Sequence, residues 1–392
     1  MKKRILFLLP GFNFGGTVFS TLNMISFLKN EYDIFVLPMT YQGAVIENYK
    51  IAGINLLPES VALSAMMGMI CKESKLWKKF IFVFHKTVRW LCLRLGIDYE
   101  LYLFMRIARK IERKYDFDFV ASCQEGGSTY MASCFLKSKR IAWVRCEYGR
   151  YLKQITTRNL AKEQVLYSKI DNIVCVSQTT RDDFVNFFPE IKDRVIAIHN
   201  IQDEDVIKDK AEEAITDFPQ DIFVIVSVGR IAPPKRFFEI PKIARELLDA
   251  RCEFKWLIIG DSHASEEYDK LISNIKDYNV QDVVIPIGAR LNPYPYIKQA
   301  RLLVNTSSSE ACPRVVIESK IIKTPVICAD FRSAREFVIS DYDGFVDSLD
   351  NLHIHIGNMI LNKALYARIK KSCETYEMDN QLIYAQLKRV FS

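Results

Sequence analysis

Short β-branched and apolar runs recur along this chain with helix-length segments between them, and that alternation confines it to a parallel α/β architecture. The first series predicts strands at residues 4–9, 33–37, 118–123, 141–144, 172–176 and 195–198. A charged, structure-poor stretch around 202–220 follows. The second series predicts strands at 223–228, 255–260, 283–287, 302–305, 325–329 and 344–346. With 392 residues there is room for two domains, most simply two six-strand Rossmann-like units facing each other across a cleft. The expected boundaries are 1–203 for the first, with a helical insertion at about 61–114, and 204–375 for the second. Residues 376–392 are expected to form a helix packing back on the first. Ligands bind at the carboxyl ends of strands in such sheets, so the cleft is the expected site.

Composition narrows the function classes. A chain that is 49% hydrophobic and 26% charged is neither disordered nor fibrous. Uninterrupted apolar runs such as 5–9 and 81–84 are far short of the ~20 residues of a spanning helix. The opening MKKRILFLLPG imitates a secretion signal, but its apolar stretch stops at Pro10-Gly11 with no small-residue cleavage site, so cytoplasmic residence is expected. Ten dispersed cysteines without a C-x-x-C pair point to neither a disulfide framework nor a zinc site, and no metal or other cofactor is expected.

The net charge of +7 is concentrated. Between Lys72 and Lys114 there are twelve basic residues against four acids, leaving the rest of the chain close to neutral. On a helical wheel, Leu76, Trp77, Phe80, Ile81, Phe84, Val88, Leu91 and Leu95 share one face, with Lys75, Lys78, Lys79, Lys86 and Arg89 opposite. Basic residues interleaved with aromatics suit an anionic lipid surface or a lipid-linked acceptor. The alternative is a solvated helix whose apolar face packs on its own domain. No nucleic-acid-binding motif accompanies the charge, so no nucleic-acid partner is expected.

Three segments carry candidate chemistry. In VNTSSSEACPRVVIESKIIKTPVICAD (304–330), a strand runs into a polar loop, Glu310, and a helix expected to begin near Pro313, whose free N–H groups suit an anion. Glu318 would then lie roughly 12 Å along that helix from Glu310 at ~1.5 Å per residue. Carboxylates at two such points can each accept hydrogen bonds from hydroxyls of an extended ligand. In VIVSVGRIAPPKRF, Arg230 and Lys235 stand at the carboxyl end of the same sheet, two cations suited to a diphosphate. Near the N-terminus, Gly11, Gly15 and Gly16 follow the first strand, where glycine lets backbone approach a ligand. The pattern is not G-x-G-x-x-G, which argues against a dinucleotide oxidoreductase.

Taken in order, VGR with Lys235, SSSE with Glu318 further on, then TPVICAD and Glu336, resemble the retaining glycosyltransferases of family 4, the glycosyl transferases group 1 enzymes of GT-B fold. The resemblance implies that Arg230 and Lys235 hold the nucleotide diphosphate, Glu318 the ribose, and Glu310 the donor sugar, flanked by Ala311 and Cys312. It places Gly15 and Gly16 near phosphate and acceptor, and the base near Gly288 and Arg290. It further implies transfer with retention, without a bound metal, the acceptor hydroxyl being activated by the departing phosphate. This chain departs from the family in four ways, one of them Lys323 where a glycine usually precedes TPV. Ala311-Cys312-Pro313 stands where Gly-Phe-Gly is common, Arg236 where a glycine follows the lysine, and Arg145 where a histidine is usual, making Arg145 a candidate acceptor or phosphate ligand.

The expected function is transfer of a sugar from a nucleotide-diphosphate sugar, UDP-linked by preference, to a glycan or polyprenyl-linked acceptor in capsule or O-antigen assembly. Contact with the inner membrane surface would run through segment 72–114. Two other readings stand beside it: a non-catalytic nucleotide-sugar-binding or membrane-recruited module, and a sugar-nucleotide epimerase or hydrolase. Simple glycosidase chemistry needs carboxyl groups about 5–5.5 Å apart, which two helical turns between Glu310 and Glu318 would not give.

Overall fold

Strands rich in isoleucine, leucine and valine with no polar face are buried on both sides, and this places helices over both faces of each sheet. The computed structural model describes residues 2–13, 15–66, 76–155, 159–260 and 266–392. They divide into two units, Met1–Gln202 with Asn380–Ser392, and Asp203–Asp379.

The first unit holds β1 (Arg4–Leu9), β2 (Asp33–Pro38), β3 (Asn55–Leu56), β4 (Phe119–Ser122), β5 (Lys139–Val144), β6 (Asn172–Cys175) and β7 (Val195–Ala197). They form one parallel sheet in the order β3-β2-β1-β4-β5-β6-β7. This sheet has seven strands, not the expected six, because the two-residue edge strand β3 is too short to show a hydrophobic period. β1 is central, and Ile5, Leu6, Phe7, Leu8 and Leu9 are fully buried. The helix Asn380–Val390 belongs to this unit, and the Phe391 ring just beyond it lies 5.5 Å from that of Phe119 and 6.0 Å from those of Phe7 and Trp143. Asn380 Nδ2 donates to the Gln202 carbonyl at 2.8 Å, tying the two ends of the unit's chain together.

The second unit holds β8 (Phe223–Val228), β9 (Phe254–Ile259), β10 (Val284–Gly288), β11 (Leu302–Asn305), β12 (Val326–Ala329) and β13 (Gly344–Asp347), all parallel in the order β10-β9-β8-β11-β12-β13. Its core carries a satisfied polar pair: Trp256 Nε1 donates to Ser227 Oγ at 3.0 Å, and Ser227 Oγ donates to the Val304 carbonyl at 2.7 Å, linking β9, β8 and β11. The stretch at 202–220 is not structure-poor as expected. It contains the helix Glu204–Ala211, whose N-terminus is capped by Asp203 accepting from the Val206 N–H at 3.1 Å.

The expected insertion contributes the helices Val61–Met66, Leu76–Arg94 and Tyr99–Lys114, while residues 67–75, including Lys72 and Lys75 of the basic segment, lie outside the described residues. Asp98 caps the Tyr99–Lys114 helix, accepting from the Leu101 N–H at 3.0 Å, and Leu103, Phe104 and Ala108 bury its inner face. The Leu76–Arg94 helix differs. It rests on its neighbours through a half-buried edge of Ile81, His85, Val88 and Cys92, with His85 Nδ1 hydrogen-bonded to the Tyr99 hydroxyl at 2.7 Å. Leu76, Phe80, Phe84 and Leu91 are exposed. The reading in which that apolar face packs on its own domain is therefore corrected: only its Ile81 and Val88 edge does so.

Candidate functional site

The strand order of the second unit reverses between β8 and β11, and in open parallel sheets the ligand crevice opens beyond the carboxyl ends at that reversal. After β8 the chain runs through Gly229 and the exposed Arg230 into a tight turn, Pro233–Lys235. After β11 it runs through Thr306 to Cys312 before the helix Arg314–Ile321. The two loops are stitched together. Thr306 Oγ1 donates to the Lys235 carbonyl at 2.7 Å, and the Ser308 N–H donates to the Pro234 carbonyl at 2.7 Å. Arg236 closes the seam, giving Nε to the Thr306 carbonyl at 2.9 Å and an Nη to that of Ser307 at 3.0 Å.

This stitching delivers the Lys235 ammonium onto the Glu310 carboxylate in an ion pair. Glu310 Oε1 also accepts from Ser307 Oγ at 2.8 Å, and the Glu310 carbonyl accepts from Ser333 Oγ at 2.7 Å. The Lys235 and Glu310 side chains keep 25% and 16% of their surface, so the pair lines an accessible crevice rather than a core. Arg230, by contrast, makes no side-chain hydrogen bond or ion pair among the described residues and is open to solvent. The floor is backbone: a Cβ on Gly260, past the end of β9, would stand 2.2 Å from the Gly229 carbonyl oxygen, so only glycine fits.

Glu318 lies in the Arg314–Ile321 helix and is 6% exposed. An Nη of Arg314 donates to its Oε1 at 2.8 Å and the Tyr294 hydroxyl at 3.2 Å, and burial together with the neighbouring carboxylate pushes the Tyr294 hydroxyl's pKa well up. The helix begins beside Pro313 as expected, but the ~12 Å of helical rise between the two glutamates does not apply. It starts at Arg314 with Pro313 at its N-cap, so Glu310 precedes it. Ala311 and Cys312 are buried in the intervening turn.

Gly288 ends β10 with φ +75°, a left-handed conformation suited to glycine. Arg290 beyond it is committed within the unit: Nε meets the Tyr296 hydroxyl at 2.9 Å, an Nη meets Asp217 Oδ2 at 2.7 Å, and Tyr296 donates to Asp217 Oδ1 at 2.5 Å.

The first unit reverses strand order between β1 and β4, and the corresponding crevice collects three of its predicted residues. Gly15 and Gly16 stand at the start of the helix Gly16–Leu28, just past β1. Arg145, after β5, donates Nε to the Cys123 carbonyl at 2.6 Å and an Nη to Asn200 Oδ1 at 2.6 Å. Its backbone N–H, with that of Cys146 at 2.9 Å, is taken up by Glu125. Glu125 follows β4 at the reversal, and burial of its carboxyl raises its pKa above the ordinary glutamate range against the pull of those N–H donors. Sequence reading passed over Glu125 and Ser307, and met Arg236 only as a departure from the family's glycine. The signal for Glu125 was a lone acid between an apolar strand and two glycines, ASCQEGG.

Residues 208–381 match the family model of the glycosyl transferases group 1. The chain is 29% identical over 188 residues to the N-acetylgalactosamine-N,N'-diacetylbacillosaminyl-diphospho-undecaprenol 4-alpha-N-acetylgalactosaminyltransferase of Campylobacter jejuni, covering 48% of this chain and 49% of that protein. It is 22% identical over 223 residues to an uncharacterized glycosyltransferase of Methanocaldococcus jannaschii, covering 54% and 53%. The matches thus span about half the length of these curated relatives. Among solved structures, Anabaena Alr3699/HepE in complex with UDP superposes with a TM-score of 0.74 over 100% of this chain and 99% of that one, at 16% identity. At that identity the likeness is one of fold.

Proposed function

With residues 208–381 matching the glycosyl transferases group 1 model in a chain of GT-B fold, we propose that the protein is a retaining glycosyltransferase. It moves a hexosyl group from a UDP-sugar to a lipid-linked glycan in surface-polysaccharide assembly. The observation that carries this reading is the crevice at the β8/β11 reversal, where Arg230 is unengaged among the described residues and Lys235 is held on Glu310. The UDP bound by the Anabaena protein and the diphospho-undecaprenol in the Campylobacter enzyme's name support the donor and acceptor classes.

In this reading Arg230 and Lys235 grip the diphosphate, the first through a planar fork and the second as a compact charge. Glu318 takes the ribose hydroxyls, the Gly288–Arg290 segment meets the base, and Glu310 with Ala311 and Cys312 orients the sugar. The bond from the anomeric carbon to the leaving phosphate oxygen breaks. The acceptor oxygen bonds to that carbon on the same face, and its proton passes to the departing phosphate. The two cations stabilise the charge that develops there, so the chemistry requires no metal ion. Gly15, Gly16 and Arg145, in the first unit, would serve the acceptor and phosphate side. A lipid-linked acceptor places the protein at the inner face of the cell membrane, as a peripheral protein entered from the cytoplasm.

The test is thermal stability against UDP, GDP, ADP, CMP and dTDP, followed by turnover with sugars of the nucleotide that binds. A ligand at 100 times its Kd stabilises by ~2.7 kcal/mol. The expected result is a shift with UDP that Arg230→Ala removes. No shift with any nucleotide refutes the donor site, and binding without turnover reduces the protein to a binding module.

A further inference from the structure

The helix Leu76–Arg94 carries five basic residues and no acid, and none of its described side chains is buried. Its half-buried edge of Ile81, His85, Val88 and Cys92 faces the protein. Beside that edge Leu76, Phe80, Val83, Phe84 and Leu91 share an arc of roughly 100°. They are 76%, 75%, 59%, 61% and 47% exposed. Phenylalanines and leucines left in water along one arc of a helix are a large contiguous apolar surface, of the kind that marks a binding face. Lys79 and Lys86 border this arc on one side. Arg94 lies within it at the C-terminal end, its guanidinium 3.8 Å above the Trp90 ring. No helix among the described residues is long and apolar enough to cross a membrane.

From this arrangement we infer that the Leu76–Arg94 helix is an in-plane lipid anchor. Its Leu76/Phe80/Phe84/Leu91 arc sinks into the headgroup–acyl boundary of an anionic bilayer, and Lys79, Lys86 and Arg94 sit among the headgroups. The charge decides between occupants. A second copy of this chain would bring Lys79, Lys86 and Arg94 against their own copies, whereas an anionic leaflet neutralises them and accepts the aromatics at once. The Trp90–Arg94 stack has the form of an interfacial residue, with an apolar body and a charged tip. The inference extends the lipid-linked acceptor part of the proposed function. The surface it names stands on exposure and charge alone.

Flotation of the full chain with phosphatidylcholine vesicles, with and without phosphatidylglycerol, tests it. Binding is expected to the phosphatidylglycerol-containing vesicles and to weaken with salt. Phe80→Ser with Phe84→Ser should lower partitioning by on the order of 100-fold. Lys79→Glu with Lys86→Glu should lower it by more than about tenfold. All four positions are exposed, so the variants should fold, and UDP-induced thermal stabilisation measured in parallel should be unchanged. Vesicle binding that survives the double phenylalanine substitution overturns the anchor in favour of simple charge attraction. Self-association lost in that variant, without vesicle binding, means that a second copy covers the face. UDP binding without vesicle binding sinks the anchor and leaves the donor site standing; vesicle binding without UDP binding does the reverse.

Discussion

The Lys235–Glu310 pair makes a prediction that ordinary site mutagenesis would miss, namely that one substitution tightens nucleotide binding while stopping transfer. The Lys235 ammonium is satisfied by Glu310, so an arriving diphosphate must take it from a carboxylate fixed by Ser307 and, through its backbone, by Ser333. Hydrogen bonds to charged partners are worth about 1.5–3 kcal/mol net and neutral ones about 0.5–1.5. Glu310→Gln keeps the shape and the Ser307 contact but replaces the first kind by the second. The free state then loses about 1–1.5 kcal/mol of competing interaction. UDP should bind roughly five- to twelvefold tighter.

Transfer should move the other way. If Glu310 orients the donor sugar where charge develops, loss of its charge should cost about 100-fold or more in kcat, the scale of removing one preorganised electrostatic contact. Titration calorimetry with UDP on wild type, Glu310→Gln and Lys235→Ala, alongside turnover on a UDP-sugar, separates the effects. Lys235→Ala should weaken UDP and Glu310→Gln should strengthen it. If both weaken UDP, Glu310 supports the diphosphate instead of competing with it, and the reasoning fails. If kcat is untouched in Glu310→Gln, the carboxylate has no part in transfer.

Other positions give sharper structural tests. Arg236 sits at φ +51° and holds two loop carbonyls, so Arg236→Ala should destabilise more than Arg236→Gly by about 1 kcal/mol in urea unfolding, glycine alone being free of the left-handed penalty; equal losses would remove the backbone argument. Ser227→Ala strands the Trp256 N–H and the Val304 carbonyl in the core and should cost about 2–3 kcal/mol, measured the same way. Glu125 has its folded pKa raised by burial, so wild type is most stable below the ordinary glutamate range and loses stability as pH rises through the raised value. Glu125→Gln cannot ionise, so its Tm should exceed that of wild type at pH 8, with the gap closing toward pH 4. A gap that widens on acidification would reverse the assignment.

The sheets were legible because their strands are buried on both faces, which turns each one into an uninterrupted apolar run that no surface helix imitates. β1, β8 and β11 were found to the residue for this reason. β3 escaped because two residues carry no period, and the helix at Glu204–Ala211 escaped because five of its eight residues are charged, with only Ile207 and Ala211 buried to mark a face. The wheel of the 76–94 segment identified an apolar arc and a basic arc correctly as chemistry. Which arc meets the protein depends on partners such as Tyr99 and Glu100 on the following helix, and those contacts are not written in the helix's own period.

The candidate site divides along the same line. Arg230, Lys235 and Glu310 were readable because each stands where an apolar strand gives way to a loop, and a parallel sheet collects strand ends on one edge whatever the loops then do. What holds those loops was not readable, since Arg236, Thr306 and Ser307 work through backbone carbonyls, an acceptor that every residue possesses. Arg236 makes the point most clearly. At a position where the resemblance anticipates glycine, the chain keeps the left-handed backbone that glycine would favour and uses the side chain to bind the neighbouring loop. An apparent departure in sequence thus preserves the turn and adds a clasp across the crevice, and the clasp is what sets the reach of Lys235 to Glu310.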